Sequence, residues 1–212
     1  MSFEACAGPR ANAAVAGSNR SLASFIWLGQ SDPGPATIAA ARAAATGPSD
    51  RPGRVESVGT LDEAAVASEL RQALPQVLAE ATRPQMEWYR CQGAFFHNDA
   101  HYGGVLFGIW AAAGPAREVV LPRIGRRISV PVGTIVVFDP FEPHAVLNVG
   151  ASTYRREDYQ GAEANLFLGF EVELAQPVRA VFGIQEAEAD SPTLSSRVAI
   201  NPETGAFATS GA

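Results

Sequence analysis

Short apolar runs, separated by turns that contain glycine and proline, make up most of the chain after residue 84. Runs of this length with such punctuation are typical of strands in an antiparallel β domain. We predict strands over residues 87–96, 103–112, 118–121, 127–130, 134–138, 145–149 and 165–174. These strands do not alternate with helical segments, which favours a sandwich or jelly roll over a parallel sheet.

The first 85 residues have a different pattern, which is rich in glycine, proline and alanine and contains helical signals. A capping box formed by Thr60 and Glu63 predicts the start of a helix, and Pro75 should kink or split it. Its apolar face is predicted at positions with helical spacing, namely Val66, Leu70, Leu74, Val77 and Leu78. A second helix is predicted over residues 35–46, followed by a loop over residues 47–59. Residues 1–85 are therefore predicted to form a helical and looped flank, packed on a β core of residues 86–212 within a single domain.

The composition excludes several classes of function. The chain has 212 residues, of which 47% are hydrophobic, and this is enough for one domain with a sizeable core. All sixteen basic residues are arginine, so Schiff-base, pyridoxal phosphate and P-loop chemistry, which need a lysine, are excluded. The net charge of −6 argues against nucleic acid as a partner, because phosphate-binding surfaces are rich in lysine and arginine.

Cysteine usage and the lack of long apolar segments favour a cytoplasmic protein. Cys6 and Cys91 lie far apart without CxxC spacing, so neither a disulfide framework nor a thiolate zinc site is predicted. Residues 1–20 lack the basic start and the continuous apolar stretch of a signal peptide. The sequence also contains no apolar run of about 18 residues, so no membrane partner is expected.

The candidate chemistry lies in the β region, which contains all three histidines of the chain. Side chains alternate across a strand with period two, so His97 and Asp99 are predicted to point to the same side. His144 follows the apolar strand predicted over residues 134–138 and can supply a second imidazole. Two histidines and one carboxylate with open positions are the ligand set of non-haem Fe(II) oxygenases. His101 is four residues from His97, which is a helical and not a strand spacing, so we predict a pocket or surface position for it.

These residues resemble the motifs of the Fe(II)/2-oxoglutarate-dependent dioxygenase family. His97-Asn98-Asp99 is similar to its HxD motif, and Gly133-Thr-Ile-Val-Val-Phe-Asp-Pro-Phe-Glu-Pro-His144-Ala-Val is similar to its glycine, apolar strand and distal histidine. The resemblance covers roughly residues 86–174. It implies a mainly β, double-stranded β-helix (jelly-roll) core with iron held by His97, Asp99 and His144. It also implies O2 and 2-oxoglutarate as co-substrates and the oxidation, by hydroxylation, of a small-molecule substrate.

The resemblance also implies a basic residue that holds the far carboxylate of 2-oxoglutarate shortly after the distal histidine. Since the chain has no lysine, Arg155 and Arg156 are the predicted cofactor-binding residues, together with Tyr89 in the pocket wall. The last predicted strand begins near Asn165, so the two arginines fall in a polar segment before it. Arginines of neighbouring strands remain alternatives, namely Arg90, Arg117 and Arg127. A site that does not use 2-oxoglutarate remains a further alternative.

Two other classes of function stay open. A cupin-type metalloenzyme would share the jelly roll, and Gly133 followed by His144-Ala-Val-Leu-Asn148 is similar to the second cupin motif. However, Gly133 and His144 are further apart than that motif requires, and His97-Asn98-Asp99 lacks the HxH and glutamate of the first motif. The other alternative is a metal-free jelly-roll binding module in which the histidines are structural. Fe(II) binding and succinate release would separate the three functions.

Overall fold

The computed structural model describes residues 1–6, 14–15, 19–47, 51–99, 102, 104–187, 193–194 and 200–206. His101, predicted to lie in a pocket or at the surface, is outside the described residues. The strands in these ranges are β1 Ser2–Ala5, β2 Ala14–Val15, β3 Phe25–Gln30, β4 Val55–Thr60, β5 Thr82–Cys91, β6 Ala94–His97, β7 Val105–Ala113, β8 Arg117–Leu121, β9 Arg126–Val130, β10 Thr134–Phe138, β11 His144–Leu147, β12 Asn165–Glu173 and β13 Thr193–Leu194. The α-helices are α1 Pro35–Ala44, α2 Ala64–Ala73, α3 Gln76–Ala81 and α4 Gln176–Phe182.

Two antiparallel sheets form the core of the structure. The large sheet has the order β1-β3-β10-β7-β12-β5-β4, and the small sheet has the order β6-β11-β8-β9. The eight strands from β5 to β12 are divided between the two sheets, four in each. In the large sheet they have the order β10-β7-β12-β5, and they face the small sheet β6-β11-β8-β9. This is the strand order of a double-stranded β-helix, and it confirms the predicted mainly β, jelly-roll fold with helices in its N-terminal part.

Alternation along the strands decides which side chains face the space between the sheets. On β7, Phe107 and Ile109 point between the sheets, whereas Trp110 lies in the core formed with the helices. The indole nitrogen of Trp110 donates a hydrogen bond to the carbonyl oxygen of Ser31 at 2.9 Å. Because residues one apart face opposite sides of a sheet, the chain builds two apolar layers from one set of strands. The helices cover one face of the large sheet, and the small sheet covers the other.

The first predicted strand, over residues 87–96, is two strands in the structure. β5 ends at Cys91, and β6 begins at Ala94. Gly93 between them has a φ of +138°, and a Cβ there would lie 2.3 Å from the Tyr159 ring. Glycine is therefore required at this corner, where the chain leaves the large sheet for the small one.

The flank differs from its prediction in two respects. The predicted helix is split at Pro75 into α2 and α3, as expected, but it does not begin at Thr60. Thr60 is instead the last residue of β4, and part of the predicted loop over residues 47–59 also belongs to that strand. The reason is tertiary, because β4 pairs with β5, which would otherwise be an edge strand with free backbone groups.

The flank also contributes strands that its prediction as helices and loops did not include. β3 pairs with β10 on one side and with β1 on the other, so it extends the large sheet. Its buried residues are Ile26, Trp27 and Gly29, and Ile26 belongs to the layer between the sheets. The division at residue 85 remains a prediction. In the ranges described, every helix is too short or too polar to cross a membrane.

Candidate metal centre

The three predicted ligands lie together at one end of the small sheet. His97 is the last residue of β6, His144 is the first residue of β11, and the two are cross-strand partners. Asp99 follows His97 by two residues, and its backbone N–H donates to the carbonyl oxygen of Pro140 at 2.9 Å. Oδ1 of Asp99 lies 3.7 Å from Nε2 of His97, and Oδ2 lies 3.5 Å from Nε2 of His144. The structure therefore brings one possible ligand atom from each residue within 4.8 Å of the others.

Backbone hydrogen bonds orient both imidazoles. Nδ1 of His97 lies 2.7 Å from the carbonyl oxygen of Phe95, and Nδ1 of His144 lies 2.9 Å from that of Glu142. A carbonyl oxygen can only accept a hydrogen bond, so each Nδ1 carries the proton. In the neutral form of either ring, Nε2 is the nitrogen that has a free lone pair, and both Nε2 atoms lie close to Asp99. Such outer hydrogen bonds are the usual way in which proteins fix the tautomer of metal-binding histidines.

His144 is held in the neutral form that binds metals. Burial, reinforced by the neighbouring His97, lowers the pKa of His144 to about 4, although the Asp99 carboxylate acts in the opposite direction. At pH 7 its Nε2 is therefore unprotonated, and a metal ion does not have to displace a proton from that nitrogen.

The donor set fits a divalent metal ion. With metal–ligand bonds of about 2.1 Å, adjacent ligands of an octahedron lie about 3 Å apart. The two nitrogen–oxygen separations, 3.5 and 3.7 Å to the two different oxygens of Asp99, exceed this only modestly, and one ligand atom from each residue lies within 4.8 Å of the others. Two imidazoles and one carboxylate are the facial ligand set of non-haem Fe(II) sites, which leaves positions open for other molecules. His97, Asp99 and His144 are thus the residues that would hold the metal.

The turn that presents His144 is fixed by two buried ion pairs. Asp139 accepts a hydrogen bond from Arg20 Nη1 at 2.6 Å, and their side chains are 2% and 4% exposed. The same carboxylate accepts from the backbone N–H of Ala23 at 3.1 Å. Arg123 contacts both carboxylate oxygens of Glu142, again with almost no exposure. Because buried charges are stable only when paired, these contacts hold the turn in one conformation.

The sequence did not indicate these supporting residues. Arg20 and Asp139 are 119 positions apart, and no local pattern marks either as a partner of the other. A pair of this kind becomes visible only after the chain is folded.

The triad opens into a cavity of about 360 Å³ between the two sheets. Each of the eight strands from β5 to β12 contributes at least one side chain to its wall. Most of the wall is apolar, and its aromatic residues are Tyr89, Phe95, Tyr102, Phe107, Phe138 and Phe167. Tyr89, predicted to bind a cofactor, therefore lies in the wall. Burial raises the pKa of Tyr89, with smaller effects from Tyr102 and Glu87, so its hydroxyl stays protonated.

Arg117 places a buried positive charge in the same cavity. It is the first residue of β8 and is only 6% exposed. Its guanidinium donates to Oδ1 of Asn148 and, at 2.8 Å, to the carbonyl oxygen of Glu163, and it lies 5.7 Å from the centre of the Tyr159 ring. In the described part of the chain, Arg117 forms no ion pair, and its Nε has no hydrogen-bond partner. Oδ1 of the cavity residue Asn165 is likewise buried without a partner.

The predicted anchors Arg155 and Arg156 are exposed and do not line the cavity. The buried residues of their segment are instead Tyr154 and Tyr159, whose rings stack at 5.1 Å. Tyr159 lies beneath Arg117, so this segment supports the cavity wall from behind.

The other arginine alternatives are engaged elsewhere. Arg90 pairs with Glu56 at 3.2 Å, and Arg127 pairs with Glu118. Of the five arginines considered from the sequence, only Arg117 belongs to the cavity wall. Its signal was its place directly before the strand predicted over residues 118–121, but the sequence did not distinguish it from the others.

No family model and no curated protein matches the chain. Among solved structures, the chain is similar to a prolyl-4-hydroxylase from Pseudomonas putida, with 15% identity and a TM-score of 0.42, covering 71% of this chain and 93% of that chain. It is also similar to a cupin 2 domain-containing protein from Halorhodospira halophila, with 16% identity and a TM-score of 0.31, covering 69% of this chain and 77% of that chain. Neither likeness bears on the reaction, so the function is argued from the site.

Proposed function

We propose that the protein is a non-haem Fe(II)- and 2-oxoglutarate-dependent dioxygenase that hydroxylates a small molecule inside the jelly roll. The observation that carries this proposal is the combination of two features in one cavity. A triad of two imidazoles and a carboxylate opens into it, and so does a buried guanidinium that lacks an anionic partner among the described residues. A metal ion and a dicarboxylate co-substrate would complete these two features together.

Arg117 is the proposed anchor for the far carboxylate of 2-oxoglutarate. A buried charge without a counter-ion is costly, and the other two arginines with almost fully buried guanidinium groups, Arg20 and Arg123, each have a carboxylate partner. Of the five N–H donors of Arg117, the two hydrogen bonds to Asn148 and Glu163 use two. The remaining donors can bind a carboxylate, which guanidinium groups contact in a planar, two-pronged manner.

The reaction balances without a further reductant. When bound, Fe(II) supplies the activation of O2, and the oxidative decarboxylation of 2-oxoglutarate supplies the electrons. One oxygen atom enters the substrate as a hydroxyl group, the other enters succinate, and CO2 is released. The protein contributes the fixed orientation of both imidazoles, the anchoring charge of Arg117 and an aromatic wall that excludes water from the reacting carbon.

The proposal is tested by anaerobic titration of the full chain with Fe(II), followed by assays of O2 uptake and succinate release in the presence of 2-oxoglutarate. We expect one Fe(II) per chain and coupled formation of succinate. His97→Ala, Asp99→Ala and His144→Ala should each abolish metal binding and turnover while circular dichroism shows a folded protein. Asp158→Ala removes an exposed carboxylate of the 3₁₀ turn Arg156–Tyr159 and is the matched control, which should behave as the wild type.

Three outcomes would overturn the proposal. Full turnover by His144→Ala would remove the triad from the reaction. Stoichiometric Fe(II) binding without any succinate release would favour a cupin-type metalloenzyme that does not use 2-oxoglutarate. No stoichiometric Fe(II) binding at all would favour a metal-free binding module.

A further inference from the structure

A second arginine, Arg54, lies in the wall of the cavity but on its exposed side. Backbone contacts of the preceding residue fix its position, because Gly53 N–H donates to Gly93 O at 2.9 Å and Phe95 N–H donates to Gly53 O at 3.3 Å. Gly53 has a φ of +95°, and a Cβ there would lie 2.4 Å from the hydroxyl oxygen of Tyr154. The turn that carries Arg54 is therefore held against the rim of the cavity by close packing that only glycine permits.

The guanidinium of Arg54 is free to bind a ligand. Within the described part of the chain it forms neither a hydrogen bond nor an ion pair. Glu56, the nearest acidic residue along the described part of the chain, is already shared by Arg51 at 3.6 Å and Arg90 at 3.2 Å. Of the arginines at positions 51, 54 and 90, Arg54 is therefore the one that has no counter-ion among the described residues.

The charges in the cavity wall favour a substrate with one negative charge. In the proposed complex, the two positive charges of Fe(II) and the two negative charges of 2-oxoglutarate cancel. Asp99 is the single carboxylate among the described wall residues, and the wall also contains two guanidinium groups, those of Arg54 and Arg117. One positive charge is left over, and it resides at the mouth, where the substrate enters. A carboxylate would neutralise it, whereas a phosphate monoester, with a charge of about −1.5 to −2, would exceed it.

The remainder of the wall fits an apolar body. Phe95, Tyr102, Phe107 and Phe138 line it, and the total volume of about 360 Å³ is small for a site that must also hold the co-substrate. We propose that Arg54 binds the carboxylate of the substrate and that the substrate is a small, apolar monocarboxylic acid. The charge count rests on the proposed function, but the contact of Arg54 with a carboxylate can be measured separately.

The test uses phenylacetate and its uncharged counterpart phenylacetamide as probes. The full chain is loaded with Zn(II), which does not support oxidation, and is saturated with 2-oxoglutarate so that Arg117 is occupied. Calorimetry then gives the affinity of each probe for the wild type, Arg54→Gln and Arg54→Lys. Arg51→Gln is the matched control, because it removes an arginine three positions away that is exposed and lies outside the cavity wall. With Mn(II) in place of Zn(II), the relaxation of the phenyl protons reports whether the probe lies near the triad.

We expect the wild type and Arg51→Gln to bind phenylacetate about three- to tenfold more tightly than phenylacetamide. This difference in affinity lies between the contribution of an exposed ion pair and that of a buried one. Arg54→Gln should bind both probes equally, and Arg54→Lys should recover part of the preference. The preference should fall as salt is raised, because the contact is exposed on one side. Mn(II) should broaden the phenyl resonances in the wild type.

Equal affinities for the two probes in the wild type would overturn the inference, as would no detectable binding of either probe. A preference for phenylacetate that survives in Arg54→Gln would assign it to another group and overturn it as well. The failure of the proposed function looks different, since 2-oxoglutarate would then neither bind nor release succinate. In that case, a preference on the Zn(II)-loaded protein that is lost in Arg54→Gln but kept in Arg51→Gln would still support the role of Arg54.

Discussion

Replacing Arg117 by methionine removes from the cavity a buried cation that has no anionic partner among the described residues, while keeping a long side chain in its place. If Arg117 anchors the co-substrate, Arg117→Met should weaken the binding of 2-oxoglutarate and leave the binding of the metal unchanged. The reason is that Arg117 lines the same cavity as the triad but is not one of its ligands.

The size of the effect follows from the type of contact. A hydrogen bond between charged groups contributes about 1.5–3 kcal/mol, which corresponds to about a ten- to hundred-fold loss of affinity. At a 2-oxoglutarate concentration of about 100 times Kd, the ligand stabilises the wild type by about 2.7 kcal/mol. For a variant that binds about a hundred-fold more weakly, this stabilisation falls to about 0.4 kcal/mol.

The stability of the ligand-free variant provides a second measurement. Arg117→Met loses two hydrogen bonds, each contributing about 1 kcal/mol, but it also removes the desolvation cost of a buried charge without a counter-ion. The free energy of unfolding without ligand is therefore expected to be unchanged or raised. Arg20→Met is the contrasting control, because it leaves the buried carboxylate of Asp139 unpaired and should lower the free energy of unfolding by about 3–5 kcal/mol.

The assay is calorimetric titration of the Zn(II)-loaded protein with 2-oxoglutarate, together with urea unfolding with and without the ligand. Arg155→Met and Arg156→Met, which change exposed arginines outside the cavity wall, should bind 2-oxoglutarate as the wild type does. Arg117 would not be the anchor if either of these variants lost tenfold in affinity for 2-oxoglutarate while Arg117→Met lost none. If none of the three affected binding, 2-oxoglutarate would no longer be a credible co-substrate.

Three further predictions concern the surroundings of the site. Asn148→Asp places a carboxylate against Arg117, so we expect about tenfold weaker 2-oxoglutarate binding by calorimetry. Asn148→Asp should also raise the free energy of unfolding, as measured by urea titration. Because pairing with Arg117 lowers the pKa of the new carboxyl group in the folded state, this gain is present above pH about 4 and is lost at lower pH. Asp139→Asn leaves the guanidinium of Arg20 buried and unpaired, so it should lower the free energy of unfolding by about 3–5 kcal/mol and weaken Fe(II) binding. Glu171→Gln, which breaks a more exposed ion pair, should lower the free energy of unfolding by less than about 1 kcal/mol. In the metal-free protein, the pKa of His144 is lower in the folded than in the unfolded state, so the free energy of unfolding is retained above pH about 6.5 and falls as the pH is lowered toward 4. Urea unfolding should show this fall, and the fall should be smaller in His144→Gln.

Local sequence patterns were sufficient for the parts of the fold that depend on neighbouring residues. The strand over residues 134–138 has the bounds that its apolar run predicted, and the helix break at Pro75 lies where proline must interrupt the backbone ladder. His97 and Asp99 could be assigned to one site because two positions along an extended chain point the same way. His144 required the resemblance to a known motif as well.

Other elements depend on partners that are distant in sequence. Residues 55–60 have no clear strand pattern, and they are extended because β5 offers an unpaired edge. The apolar run of β3 was not assigned as a strand, and it extends the large sheet by pairing with β10. In both cases tertiary pairing decides the conformation, which local propensity cannot reveal.

The sequence by itself determined the set of chemical groups from which a site could be built. The chain has three histidines, no lysine and sixteen arginines, and these counts already required that any fixed cation in the site be a guanidinium. Only the tertiary structure decided which guanidinium groups line the cavity. Arg117 and Arg155 are the same residue type, but Arg117 is buried without a counter-ion among the described residues, whereas Arg155 is exposed. Burial and pairing decide what a charge can do, and both arise from contacts between residues that the fold brings together over long distances in the chain.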